Sequence, residues 1–180
     1  MENVHQIARD VIPHAAVVCA DIDPVAVRHA QALLVDRDGV AALEGDVRDP
    51  AGILAAASDG LIDLSKPVVV VLAAVLQFIG DEEDPAGIAR AFRDAMCPGS
   101  YLIVSHATHD VLPAESEQAS SMYQRASAPM VTRSREEITA FFSGLELVEP
   151  GLVFTVQWRA PVESPHPGRA GIYAGVGRKP

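Results

Sequence analysis

The sequence predicts an α/β domain with a parallel sheet and crossover helices, and three observations predict it. First, three apolar runs each lead to an Asp-Pro pair: Ala16 to Pro24 reads AVVCADIDP, Val40 to Leu43 is followed by EGDVRDP, and Val68 to Leu76 by FIGDEEDP. Asp is a favoured N-cap because its side chain accepts the orphan N–H groups of a first turn, and Pro is pre-set for the first helical position. Strand, loop and helix therefore alternate, as they do in parallel sheets. Second, the run VVVVLAAVL holds nine apolar residues without alternation, the pattern of a central strand buried on both faces. Third, the first apolar run ends on Asp21, and a helix starts at once. The carboxyl ends of strands are where open α/β sheets hold ligands.

The elements follow in order. Val4, Ile7, Ala8, Val11 and Ile12 recur at helical spacing, so Asn3 to Val11 is a predicted amphipathic helix stopped by Pro13. A strand is expected over Ala16 to Ala20 and a helix from Pro24 to about Val35. Arg37-Asp38-Gly39 turns the chain into a short strand, and a brief helix follows Pro50. After the central run, Pro85 to Met96 is the third Asp-Pro helix, and Pro98-Gly99 turns into a fourth parallel strand, Tyr101 to Ser105. Ala107 to Met130 is polar, reads as a lid, and contains a predicted helix over Ala114 to Ala126. Ser134 and Glu137 have the spacing of a capping box, with Ile138, Phe141 and Phe142 as the apolar face before Gly144. LELV, VFTVQW and IYAGVG then read as strands.

At 180 residues and 49% hydrophobic content the chain suits one domain with a substantial core. A formal charge of −10 disfavours nucleic acid and anionic membrane as partners and points to a small molecule. Cys19 and Cys97 belong to no CxxC pair and are read as buried free thiols of a reducing compartment, the cytoplasm. No signal-peptide pattern opens the sequence, and its longest apolar run is far below the roughly 20 residues of a membrane helix.

Taken together, ADIDP, EGDVRDP, VVVVLAAVLQFI, CPGSYLIVS and the closing GVGRKP resemble the Rossmann-like S-adenosylmethionine-dependent methyltransferases. More narrowly, DEEDPAGI, PGSYLIVSHAT, FFSGLELVEPG and YAGVGRKP are similar to an actinobacterial methyltransferase family with mostly unassigned substrates. The resemblance covers essentially the whole chain and implies a mostly parallel sheet with helices on both faces and a C-terminal antiparallel strand. It implies S-adenosyl-L-methionine as cofactor and a small-molecule acceptor. By the same resemblance Asp21 holds both ribose hydroxyls, Ile22 packs on the adenine, and Asp46 accepts from the adenine amino group. The Val47 N–H meets a ring nitrogen, while Leu72 and Ala73 face the methionine part.

The pattern is also incomplete. Members of this fold begin with a strand and a D-x-G-x-G loop, whereas no glycine here precedes Gly39. The chain is accordingly read as N-terminally shortened, lacking the first central strand, and expected to self-associate through unpaired sheet edges. Gly175-Val-Gly177 has no helix after it and is not the absent loop.

Each sharper role has a plainer counterpart. Asp21 and Asp46 could be turn acids, and Asp49 and Asp84 read as helix caps. The run Asp81 to Asp84 reads as a solvated first turn and not as a metal site. His106 and His109 lack a third metal ligand; His106 and Gln77 are the candidate catalytic, substrate-facing side chains. Trp158, Phe141 and Phe142 read as core, and Arg178 and Lys179 as a solvated tail. Methyl transfer from a sulfonium needs mainly alignment, so no obligatory acid–base pair is expected. Two alternatives stand beside it. One is a non-catalytic scaffold that binds a partner; the other is a nicotinamide-dinucleotide domain, which needs a glycine fingerprint the chain lacks.

Overall fold

A computed structural model describes residues 3–35, 37–110, 130–162 and 164–180. The predicted helix over Ala114 to Ala126 lies outside them. The chain divides into two compact units, residues 1–64 and 65–180.

In the first unit the order is α1 (Val4–Val11), β1 (Val17–Asp21), α2 (Pro24–Leu34), β2 (Val40–Glu44) and α3 (Pro50–Ser58). β1 and β2 form a two-stranded parallel sheet, with Val17 opposite Val40 and Asp21 opposite Glu44. The capping reading holds in detail. Asp23 accepts from the Val25 N–H at 2.8 Å and Asp49 from the Gly52 N–H at 3.0 Å, each with Pro at the first helical position. The Gln31 side chain donates to the Ala42 carbonyl at 2.9 Å and ties α2 to β2.

The second unit contains β3 (Val69–Ala73), α4 (Pro85–Ala95), β4 (Tyr101–Ala107), α5 (Arg135–Thr139), β5 (Glu146–Leu147), β6 (Val153–Phe154) and β7 (Ile172–Arg178). Its sheet has the order β3-β4-β7-β5, with β6 also on β7. β3 and β4 are parallel, and β7 runs antiparallel to β4, β5 and β6. Asp84 accepts from the Gly87 N–H at 2.9 Å, the third Asp-Pro cap. Ser134 and Glu137 form the expected capping box, and Ile138, Phe141 and Phe142 are buried behind it. The core also takes in Leu72, Leu76, Ile88, Phe92, Leu102, Val104 and Leu152.

Several expectations are corrected. The run VVVVLAAVL gives a strand of only five residues, because Ala74 adopts φ 54° and the chain then coils into a 3₁₀ turn over Leu76–Phe78. Among the described residues β3 pairs with β4 alone, so it is an edge strand. Val69 and Val71 are accordingly 57% and 43% exposed, not buried on both faces. VFTVQW is strand only over Val153–Phe154 and turns at once into a 3₁₀ segment. Cys19 is exposed and Cys97 half-buried, although both thiols are free as expected. Trp158 is half-buried rather than core, with the Arg159 guanidinium 4.8 Å above its ring.

The C-terminus is not a solvated tail. The Lys179 ammonium donates to the carbonyls of Arg93 at 2.9 Å and Met96 at 2.6 Å, at the C-terminal end of α4, where a cation is favoured. Gly175 and Gly177 make room for packing. A Cβ on Gly177 would stand 2.9 Å from Phe142 and from Leu145, closer than side chains approach.

Candidate functional site

Parallel pairing puts the carboxyl ends of β1 and β2 on one edge, and that edge carries the first group of candidate residues. Asp21 closes β1 and Ile22 follows it; Asp46 and Val47 lie just beyond β2. The Gly45 N–H donates to the Asp21 carbonyl at 2.9 Å and joins the two loops. One carboxylate oxygen of Asp21, Oδ1, accepts from the Asp23 N–H at 2.9 Å, a short-range turn bond of the kind Asp makes readily. Its other oxygen has no partner among the described residues, and both Asp21 and Ile22 are exposed.

Asp46 is differently placed. Both of its oxygens accept from the Arg48 Nε at 2.9 Å, and the Arg48 N–H adds a bond at 3.0 Å. These bonds hold the Asp46 carboxyl below its ordinary range, with the side-chain bond from Arg48 as the leading cause. The carboxylate is an ionised acceptor paired with Arg48.

The second group sits in the second unit, after β3 and along β4. Leu72 is buried, and Ala73 is exposed at the end of β3. Ala74, in the left-handed region, donates its N–H to the Ser105 hydroxyl and carbonyl, each at 3.0 Å. Gln77 is buried in the following turn. Its Oε1 accepts from the Ala107 N–H at 3.1 Å, and its Nε2 donates to the Met130 sulfur at 3.6 Å.

His106 is fully buried, and both ring nitrogens are engaged. Nδ1 lies 2.6 Å from the Ala107 carbonyl and Nε2 lies 2.9 Å from Nη1 of Arg133. A guanidinium only donates, so Nε2 must accept and the ring proton belongs on Nδ1. Burial lowers the pKa of His106 below its ordinary value, helped by the Arg133 charge and opposed by the bond to Ala107. His109, by contrast, is exposed, with Nδ1 3.2 Å from the Thr132 carbonyl.

Sequence reasoning missed Arg133. It is 4% exposed, and its Nη2 donates to the Ile79 carbonyl at 2.9 Å and to Asp81 at 2.5 Å. Asp81 thus pairs with a buried cation, while Glu83 accepts from the Gly80 N–H at 2.9 Å and Asp84 caps α4. Those bonds give each of the three acids a local role. No group of three or more His, Cys, Asp or Glu side chains among the described residues is gathered to hold a metal. The one sequence signal for Arg133 is its place directly before the Ser134 cap.

A family model described as S-adenosyl methyltransferase matches residues 1–180. Among solved structures, a DUF574 family protein from Streptomyces avermitilis is 35% identical with a TM-score of 0.88, over 99% of this chain and 70% of that one. A candidate methyltransferase from Thermobifida fusca is 36% identical with a TM-score of 0.91, over 99% and 68%. The N-methyltransferase NodS from Bradyrhizobium japonicum, in complex with S-adenosyl-L-homocysteine, shares the fold at 15% identity and a TM-score of 0.56, over 96% and 71%. No curated protein matches the chain.

Proposed function

We propose, for a chain that belongs to the S-adenosyl methyltransferase family, the transfer of a methyl group from S-adenosyl-L-methionine to a small-molecule acceptor by residues 1–180 working as a single domain. The cofactor supplies a methyl group already activated on a sulfonium. What is asked of the protein is to hold the two reactants in line, and correct placement alone can account for ~7–11 kcal/mol of a barrier. A residue acting as base is needed only where the acceptor must lose a proton.

The observation that carries this reading is the open carboxylate oxygen of Asp21 at the strand end, beside exposed Ile22. Asp21 would accept from the ribose hydroxyls, and Ile22 would cover one face of the adenine. Asp46 and the Val47 N–H would read the purine edge, with Arg48 giving up part of its hold on the Asp46 carboxylate. Leu72 and Ala73 would border the amino-acid end. Ala73 offers only a methyl group there, which leaves room for close approach. Gln77 carries a polar side chain in the turn after that strand, and its fixed amide suits orientation of an acceptor. His106 belongs to the same surroundings, with its basic nitrogen already taken by Arg133.

Among the described residues no helix is long and apolar enough to cross a membrane. A cytoplasmic setting is part of this proposal, resting on the free thiols of Cys19 and Cys97.

The test is calorimetric titration of the chain with S-adenosylhomocysteine beside the Asp21→Ala variant. Loss of the charge-assisted ribose bonds should weaken binding at least tenfold, about 1.4 kcal/mol, with the folding transition unchanged. Equal affinity in the variant would remove Asp21 from the cofactor site. No binding by the folded chain would favour the scaffold reading.

A further inference from the structure

We propose that Arg133 is a positioning residue of the methyltransferase site: its guanidinium clamps the turn that carries Gln77 to the end of β4 and occupies Nε2 of His106, so that this imidazole is a fixed acceptor within the clamp and not the proton acceptor of the reaction. The proposal rests on the methyltransferase reading for the purpose of the site.

The geometry is that of a fork whose two terminal nitrogens are each used twice. Nη1 donates to the Leu76 carbonyl at 3.2 Å and to His106 Nε2 at 2.9 Å; Nη2 donates to the Ile79 carbonyl at 2.9 Å and to Asp81 at 2.5 Å. A buried guanidinium without such partners would be strongly destabilising, so the four acceptors and the cation specify one another. The main chain repeats the connection. Arg133 N–H donates to the Ala107 carbonyl at 3.2 Å, and Val131 N–H to the Gln77 carbonyl at 2.7 Å. Gln77 is therefore held through its carbonyl by Val131 and through its side chain by Ala107.

Lysine could not do this work, because one ammonium nitrogen cannot meet acceptors arranged around a planar fork. The Phe141 ring closes the space on the remaining side, 5.7 Å from the imidazole and 5.9 Å from the guanidinium carbon. Of the charged groups that bear on His106, Arg133 and burial oppose a second ring proton. Glu137 on α5 favours one, and Asp81 spends its charge on Arg133.

Nitrogen-15 imidazole spectra of the full 180-residue chain test this directly, with the His106 signals identified by their loss in His106→Gln. The wild-type ring should keep the neutral Nδ1–H pattern to lower pH than an exposed imidazole does. In Arg133→Gln, Nε2 loses its donor, and the ring should exchange between tautomers and take up its proton at higher pH than in the wild type. A wild-type His106 that protonates as an exposed imidazole does would overturn the proposal, as would identical spectra in the two proteins. Should Arg133→Gln fail to fold, Arg133→Met, which has no donor for Nε2, gives the same comparison.

The positioning role is read by titration with S-adenosylhomocysteine. Either Arg133 variant should bind about tenfold more weakly, and unchanged affinity would overturn that role. A wild-type chain that binds none would instead defeat the cofactor reading, while the imidazole spectra would still decide the clamp.

Discussion

The two units are built from the same strand and helix vocabulary and differ in what they bury. The first has a two-stranded sheet, and its buried side chains among the described residues are His5, Val27, Val40 and Ala57. Val4, Ile7, Val11, Ile12, Ile22, Val25, Leu33 and Val35 are all exposed there. In the second, β4 and β7 are flanked on both sides, and aromatic and aliphatic side chains close over them. Two paired strands are marginal by themselves, whereas a larger sheet covered on one face is not. The first unit offers open acceptors that a ligand can occupy, Asp21 foremost. The second ties Gln77, His106 and Arg133 into one hydrogen-bonded network, although Trp158 Nε1 is buried without a partner among the described residues.

The largest expected effect tests the packing side of that contrast. Phe142 is buried against Gly175 and Gly177, so Phe142→Ala should cost about 3–5 kcal/mol. Val27→Ala in the first unit should cost only about 1.5 kcal/mol, at ~0.8 kcal/mol for each buried carbon removed. Urea unfolding followed by circular dichroism measures both. Equal costs would mean the first unit is as well packed as the second.

A smaller effect comes from protons. Burial lowers the His106 pKa from its ordinary value of 6.5, so below that pH the unfolded chain takes up a proton that the folded chain refuses. Stability therefore falls as pH drops through 6.5 and continues falling until the lowered folded pKa is reached. The slope approaches ~1.4 kcal/mol per pH unit. Subtracting the pH dependence of His106→Gln should isolate this contribution, and a flat difference between pH 7 and pH 5 would show that the ring is not held neutral.

The parts legible in the sequence are those fixed by neighbours a few residues apart. Asp23, Asp49 and Asp84 cap their helices because the capping oxygen and its N–H partners lie within three residues. The Ser134 and Glu137 box is equally local. Parallel strands were legible from their rhythm, but the position of β3 in its sheet was not. An unalternating apolar run says that a strand avoids water and leaves open which neighbours it has. Arg133 escaped detection because its partners Leu76, Ile79, Asp81 and His106 are distant in sequence, and no local spacing records such bonds. Lys179 escaped for the same reason, since the carbonyls it caps belong to α4.

The smallest effect sharpens the comparison most, because the sequence supplies its own control. The pentapeptide Asp-Pro-Ala-Gly-Ile opens α3 at Asp49 and α4 at Asp84. In both, the Asp accepts from the Gly N–H, and a Cβ on Gly52 or Gly87 would run into the capping carboxylate. The cap bond lost on Asp49→Ala or Asp84→Ala is worth about 1 kcal/mol in each case, and Asp84→Ala adds the cost of placing alanine at φ 50°. If the chain unfolds in a single transition, both variants should lower its midpoint, Asp84→Ala the more. If the first unit opens on its own, Asp49→Ala should lower only the earlier transition and Asp84→Ala only the later. Differential scanning calorimetry of the two variants distinguishes these outcomes. The pentapeptide is the same but the backbone at its Asp is not, at φ −113° in Asp49 and φ 50° in Asp84, so the two transitions and not the size of the two shifts carry the comparison.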